Sequence, residues 1–542
     1  MASLQTSTRA RLALGSLVLA YLLVALIAGA PDSPLVPPSP PGVRPVRWTQ
    51  AWARWIGLDR LTRTGLTVVA IGVLAAILIL FFVVVAEARS ARVGASLIFV
   101  AVALSLAISV AAPLMLSRDV YSYAAYGRIY TVHHANPYVR LPSAFPSDPF
   151  VRVVWRGWIN TPPVYGPAFV LVSAGVARGT AGSPRVTILA FKLLAAGGVA
   201  LATALVALAA RSLRRRDPGQ SARSNPVANA AAAAAAAAVG LNPVVVVHTV
   251  GGGHSDALVA ASLAGALLLG IRWMNEEKST RGPFQSIALG ITALLTLAGL
   301  VKVVLFLVLL VWLWHLARMA APGRRAGAVG LHVLEAVTIS AAFSAPFLTS
   351  ARAFKSLVTL TSVEGWASPV RLVSRGARVL GTAIDGNVTA EVLDKLVVVG
   401  FLAIAAAAFI RFFRRQAEDG RANTPDGLTS ALAVGTLGLA LAIPYLLPWY
   451  AAWFLPFLAL VTDPGIAAIG LTAAGLLALT GIPTEAGSTP GLWRGSVFSV
   501  HYVVAPMMLG LFLAWVWRTL RLPHQGPPRM DAPPRMADRA RP

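Results

Sequence analysis

The sequence predicts an all-α, polytopic membrane protein with about 12–14 transmembrane helices. Three observations carry that expectation. The chain has 542 residues, 57% hydrophobic and 12% charged, at a mean hydropathy of +0.71, which is more apolar surface than a water-soluble core can bury. Apolar runs of about 20 residues, the length that crosses a bilayer, recur along the chain. Lys and Arg fall in clusters between those runs, so the net charge of +25 fits membrane flanks and not a nucleic-acid surface. The absence of cysteine excludes disulfides, thiolate metal sites and cysteine nucleophiles.

Taken in order, spans fall near 11–29, 65–87, 94–116, 186–210, 226–248, 255–273, 286–300, 302–319, 327–348, 391–411, 427–446, 449–462, 465–482 and 499–518. Ala28, Gly29 and Ala30 resemble a signal-peptidase site. The apolar run from Leu12 exceeds the roughly 7–15 residues of a signal h-region, so this segment reads as a retained helix. With Arg9 and Arg11 inside, the clusters Arg89 and Arg92, Arg211 to Arg216, Arg272 to Arg281, Arg318 to Arg325 and Arg411 to Arg415 also fall inside. Both termini are then cytoplasmic. That parity holds only if the apolar stretch 164–176 does not cross, so it is read as a helix at the outer interface. A large external loop, 117–184, follows from this. Other outer segments are 31–63, 251–255, 349–391, 447–449 and 482–498. The run Ala230 to Ala238 is strongly helix-forming and carries no assigned function. The tail from His524 to Pro542, rich in Pro, Arg and Asp, is expected to be a disordered cytoplasmic end.

The loop opens on SRDVYSYAAYGR, in which Asp119 appears where the chain leaves an apolar span. A carboxylate is costly at a membrane boundary and suggests chemistry there. The alternative is an ion pair with Arg118 or a helix N-cap. Tyr121, Tyr126, Arg128, Asn136, Tyr138 and Tyr165 add aromatic faces and planar donors suited to sugars. An interfacial aromatic belt would use the same residue types. A second motif, HTVGGGHSDALVA, sets His248, His254 and Asp256 around three glycines. A metal reading would take His254 and Asp256 as ligands, two candidates being too few for a dedicated cage; the other reading is a tight turn with Asp256 as a cap. It is not a P-loop, since no Gly-Lys-Ser/Thr follows. Lys302 interrupts an apolar segment, 287–316, that is too long for one span; a break near Gly299 would bring it to an outer turn as an anion-binding charge, unless it snorkels. In PYLLPWYAAWFLP, prolines mark another outer turn that carries Trp449, Tyr450 and Trp453.

RDVYSYAAYGR, the NPY of Asn136 to Tyr138, the PPVYGP of Pro162 to Pro167, GGGHSDAL and PWYAAW together resemble the GT-C class of lipid-phosphosugar glycosyltransferases. More narrowly, they are similar to the actinobacterial polyprenol-phosphomannose-dependent α-(1→6) mannosyltransferases that build lipomannan and lipoarabinomannan cores. The likeness spans roughly 94–453. It implies a catalytic module at 94–348 containing the external loop 117–184, preceded by N-terminal helices and a loop (1–93). A C-terminal membrane module (349–518) and a basic cytoplasmic tail (519–542) complete the chain. It also implies a plasma-membrane enzyme with its site facing outward, transferring mannose with inversion from a polyprenyl-phosphomannose donor to a mannoside acceptor. Asp119 would be the general base. Arg118, Tyr121, Tyr126, Arg128, Asn136, Tyr138, Tyr165, His254, Asp256, Lys302, Trp449, Tyr450 and Trp453 would bind substrates, with Lys302, Arg118 or Arg128 offsetting the phosphate charge. Some relatives use a divalent cation (Mg2+ or Mn2+); a single acidic residue after the helix leaves the metal unassigned. The bilayer is the expected partner and nucleic acid is not. A transferase for lipid-linked arabinose or glucose fits the same pattern. A secondary transporter would need mid-span charges and repeats, and of the acids only Glu335 lies near a span centre. A non-catalytic scaffold would tolerate Asp119→Asn.

Overall fold

The computed structural model describes residues 7–214, 226–276, 285–349, 353, 365–385 and 387–521, and these contain helices and no strand. The C-terminal tail lies outside the described residues. The helices are α1 (Thr8–Gly29), α2 (Arg47–Trp55), α3 (Arg63–Arg89), α4 (Ala95–Ala111), α5 (Asp119–Thr131), α6 (Pro167–Gly179), α7 (Pro184–Leu213), α8 (Pro226–Gly240), α9 (Asp256–Asn275) and α10 (Ser286–Val301). They continue as α11 (Phe306–Met319), α12 (Arg325–Ser344), α13 (Pro369–Asp385), α14 (Asn387–Glu418), α15 (Pro425–Ala442), α16 (Ala451–Leu458), α17 (Pro464–Ala478), α18 (Pro490–Ser499) and α19 (Ala505–Arg521).

Eight helices among the described residues are long and apolar enough to cross a bilayer, or nine if α8 and the wide turn Val244–Val250, bent by 42°, form one span. This all-α polytopic architecture is the predicted one. The larger predicted count includes α4, α10, α17 and the segment Val303–Met319, which are apolar but only 10–17 residues long. The segment predicted as a span at 449–462 is α-helical only over the eight residues of α16, roughly 12 Å, with Pro456 inside the helix; it leads from the Tyr450 turn to Asp463, which pairs with Arg518 at the end of α19 (2.9 Å). The 164–176 stretch folds as α6, 13 residues or roughly 20 Å, too short to cross. Amphipathic α2 and α13 occupy segments predicted only as loops; in α2, Trp52 and Trp55 stay exposed, as interfacial indoles do.

Small residues set the packing. Ala228 and Ala232 to Ala238 of α8 are buried where α8 meets α3, α4 and α7. The basic helix ends meet in pairs: Arg9 of α1 and Arg92 both approach Glu87 of α3 (3.6 and 3.5 Å), and Asn275 at the end of α9 donates to the Ser212 carbonyl at the end of α7 (3.4 Å). At the opposite ends lie the turns that carry the motifs.

Candidate active site

The chain leaves α4 through a short extended segment whose backbone is fastened on both sides. Met115 N–H donates to the Gly251 carbonyl (3.0 Å) and Leu116 N–H to that of Leu35 (2.8 Å). The first bond joins the Asp119 segment to the triple-glycine turn. Gly253 in that turn has φ +65°, and a Cβ there would lie 2.8 Å from Val120 Cγ2, so only glycine lets α5 approach. Gly166 brings a third segment in. Its N–H donates to the Val301 carbonyl (3.1 Å), and a Cβ would stand 2.1 Å from the Leu300 carbonyl oxygen. Tyr165 is thereby set against the break between α10 and α11. That break falls at Lys302 itself (φ −132°, ψ 103°) and not at Gly299.

Asp119 stands at the start of α5 with its side chain 16% exposed. Its Oδ2 accepts from Tyr165 O–H (3.4 Å) and lies 3.6 Å from His254 Nδ1, which Tyr123 O–H meets at 3.2 Å. Neither alternative reading of Asp119 applies: Arg118 pairs with Glu485, and no side-chain cap forms on α5. Asp256 does not cap α9 either. Its Oδ1 accepts the Trp453 indole N–H (2.7 Å) and its Oδ2 lies 3.6 Å from Lys302 Nζ. The Lys302 ammonium sits over the rings of Tyr165 (4.7 Å) and Tyr450 (4.9 Å), an orientation that favours the cation. Trp449 stacks on His254 (3.6 Å) and Tyr450 on Trp453 (4.0 Å). These aromatics are buried side chains of the site and not a surface belt.

Burial pushes the Asp119 carboxyl up to about 6; Lys302 pulls it down, Asp256 pushes it further up, and the hydrogen bonds from Tyr165 and Ser117 lower it. Burial, with Lys302 next, holds His254 well below its usual range, so its imidazole is neutral. The site therefore offers a poised carboxylate and the Lys302 ammonium in a water-poor aromatic cage. Among the described residues no group of three or more His, Cys, Asp or Glu is arranged to hold a metal ion. Both oxygens of Asp256 already face cationic or N–H groups, so a divalent ion fits poorly between the two carboxylates.

The structure brings together Asp119, Tyr165, His254, Asp256, Lys302, Trp449, Tyr450 and Trp453. It assigns other predicted residues elsewhere. Arg118 is neutralised by Glu485, and Arg128 by the buried Asp148 (2.7 Å), so neither is a free phosphate ligand. Asn136 donates to the Phe347 carbonyl (2.8 Å) and Tyr138 to that of Tyr165 (2.7 Å), which makes them props of the loop. Tyr126 donates to the Thr161 carbonyl (3.1 Å), and Tyr121 lines a separate cavity beside Lys192. Tyr123 belongs to the site and was not among the predicted binding residues. Its spacing of four from Asp119 on one helix face was the available signal.

The comparison that decides the family is with the alpha-(1->6)-mannopyranosyltransferase N-terminal domain, which matches residues 20–318, more than half of the chain. The chain belongs to this mannopyranosyltransferase family. Among similar curated proteins, a probable alpha-(1->6)-mannopyranosyltransferase of Mycolicibacterium smegmatis is 25% identical over 452 residues, covering 78% of this chain and 76% of its own. Alpha-(1->6)-mannopyranosyltransferase B of Corynebacterium glutamicum is 25% identical, covering 77% and 67%. Alpha-(1->6)-mannopyranosyltransferase A of Mycobacterium tuberculosis is 26% identical, covering 63% and 62%. No solved structure matches the chain. The matched mannopyranosyltransferase domain contains Asp119, Tyr165, His254, Asp256 and Lys302; Trp449, Tyr450 and Trp453 lie beyond it.

Proposed function

We propose that this α-(1→6)-mannosyltransferase moves mannose from a polyprenyl-phosphate carrier to a mannoside hydroxyl at the outer face of the plasma membrane, with Asp119 as general base. The observation that carries this reading is the pairing of a poised carboxylate, Asp119, with a site cation, Lys302, inside an aromatic cage at a membrane-helix boundary. The acceptor 6-hydroxyl attacks the anomeric carbon as Asp119 takes its proton, and the C1–O bond to the phosphate breaks on the opposite face. The phosphate leaves as its polyprenyl ester with the bonding electrons, and the Lys302 ammonium offsets its charge. Configuration inverts, so an α product requires a β-linked donor. Positive charge on the sugar ring in the transition state is met by the Asp119 carboxylate and the faces of the surrounding tyrosines.

Asp256 holds the ammonium through its ion pair and is itself held by Trp453. Tyr165 orients the base from one side, and the neutral His254 ring packs against the other. A lipid-linked donor suits a site at the end of apolar helices and needs no nucleotide-binding domain. The outward orientation is supported by the basic clusters of the opposite helix ends. The test offers purified protein synthetic polyprenyl-phosphomannose and, separately, GDP-mannose with a short α-mannoside. Transfer from the lipid donor alone is expected, with an α-(1→6) bond in the product. Transfer from GDP-mannose alone would overturn the donor assignment, and a product of retained configuration would overturn the single-displacement chemistry.

A further inference from the structure

A recess of about 500 Å³ opens between α11, α14 and α15, backed by Trp515 of α19. Its walls are apolar. Among the described residues the only hydroxyl lining it, that of Thr436, is spent on the Leu432 carbonyl (2.7 Å). Leu307, Leu310 and Leu402 along the rim are exposed, so the recess opens sideways from the bundle. Its volume is that of a small-molecule site and not of a packing defect. Its place in the fold links it to the site: α11 begins directly after the Lys302 turn, and α15 runs into the segment carrying Tyr450. The lining extends along α15 from Ala442 back to Ala431, roughly 16 Å, about half the ~30 Å hydrocarbon core of a bilayer.

We propose that this recess is the seat of the donor's polyprenyl tail, its head end at Lys302 and its far end released into the membrane. This inference rests on the lipid-linked donor proposed above. An apolar, laterally open recess has nothing to offer a sugar or an acceptor glycan, whereas Lys302, in the turn that precedes α11, matches a phosphate on an apolar chain. Binding the first isoprene units there would set the sugar phosphate against Lys302 before the acceptor arrives, and would favour long-chain carriers over short ones.

The experiment compares KM for mannose carried on a long polyprenyl phosphate and on a short two-isoprene phosphate. It uses wild type, Ala406→Trp, which intrudes on the recess, and Leu201→Trp, an exposed position on α7 remote from it. Loss of contact worth about two buried methylenes raises the ratio of long-chain to short-chain KM about tenfold in Ala406→Trp. Leu201→Trp leaves the ratio as in wild type. A photoreactive group on the long polyprenyl phosphate supplies a readout that needs no turnover, with labelling expected on 307–314 and 431–442. Equal KM ratios in all three proteins, or label spread evenly over lipid-facing helices, would show the recess to be ordinary annular-lipid surface and overturn the inference. Wild type that uses no lipid donor while label still concentrates in the recess would instead sink the donor reading and leave a polyprenyl-phosphate site.

Discussion

Replacing Asp119 with Asn is expected to stabilise the protein while removing its activity. Burial is the largest influence on this carboxyl, raising it from 3.8 to about 6 against the pull of Lys302. A carboxyl whose folded pKa exceeds its unfolded one binds its proton more tightly in the native state. Its stabilising contribution is complete below about 3.8 and is lost as pH rises through about 6. At pH 7.5 the ionised side chain therefore costs the fold about 3 kcal/mol relative to an uncharged group of the same shape. With the side chain 16% exposed, solvent relieves little of that cost. Asn keeps the shape and carries no charge. The assay is unfolding of wild type and variant in matched detergent at pH 7.5 and about pH 4, where the difference shrinks to about 0.5 kcal/mol. A variant less stable at pH 7.5, or a gain of the same size at both pH values, would refute the reasoning that Asp119 is held ionised against its environment.

Three further outcomes follow from the same geometry. Since the base works ionised, kcat/KM falls about tenfold per pH unit below about 6 and is level above it; a profile flat down to pH 5 would contradict this. Lys302→Met raises KM for the donor and shifts that acidic limb to higher pH, because Lys302 lowers the Asp119 pKa; an unmoved limb would show that the two charges are uncoupled. Gly166→Ala forces its Cβ against the Leu300 carbonyl and moves Tyr165 off the Lys302 turn, costing about 1–3 kcal/mol of stability and most of the transfer activity. Thermal unfolding and transfer assays equal to wild type would contradict that packing.

The fold class was legible because hydropathy and the distribution of basic residues are one-dimensional signals. Asp119, the glycine turn and the Lys302 break were legible for a related reason, since each is a polar interruption of an apolar run. Span number was less so: α4, α10 and α17 are apolar but short, and α16, with Pro456 inside it, has only eight residues. Partner choice was not legible at all. Arg118 and Arg128 look like phosphate ligands in sequence, yet Glu485 and Asp148, 367 and 20 residues away, neutralise them. Asp256 has the position of a helix cap and the role of a lysine partner, which only the meeting of α9, α16 and the Lys302 turn decides. Amphipathic α13 escaped because a 17-residue interfacial helix has too little mean hydropathy to register as a span.

The central claim is that Asp119 is the base of a lipid-donor transfer, and it is tested most directly by single-turnover transfer from polyprenyl-phosphomannose to a short α-mannoside. Wild type and Asp119→Asn are compared after both are shown to bind the donor. The account predicts transfer by wild type and a loss of about 10²–10⁴-fold in the variant, with donor affinity retained. An Asp119→Asn rate within tenfold of wild type would contradict it.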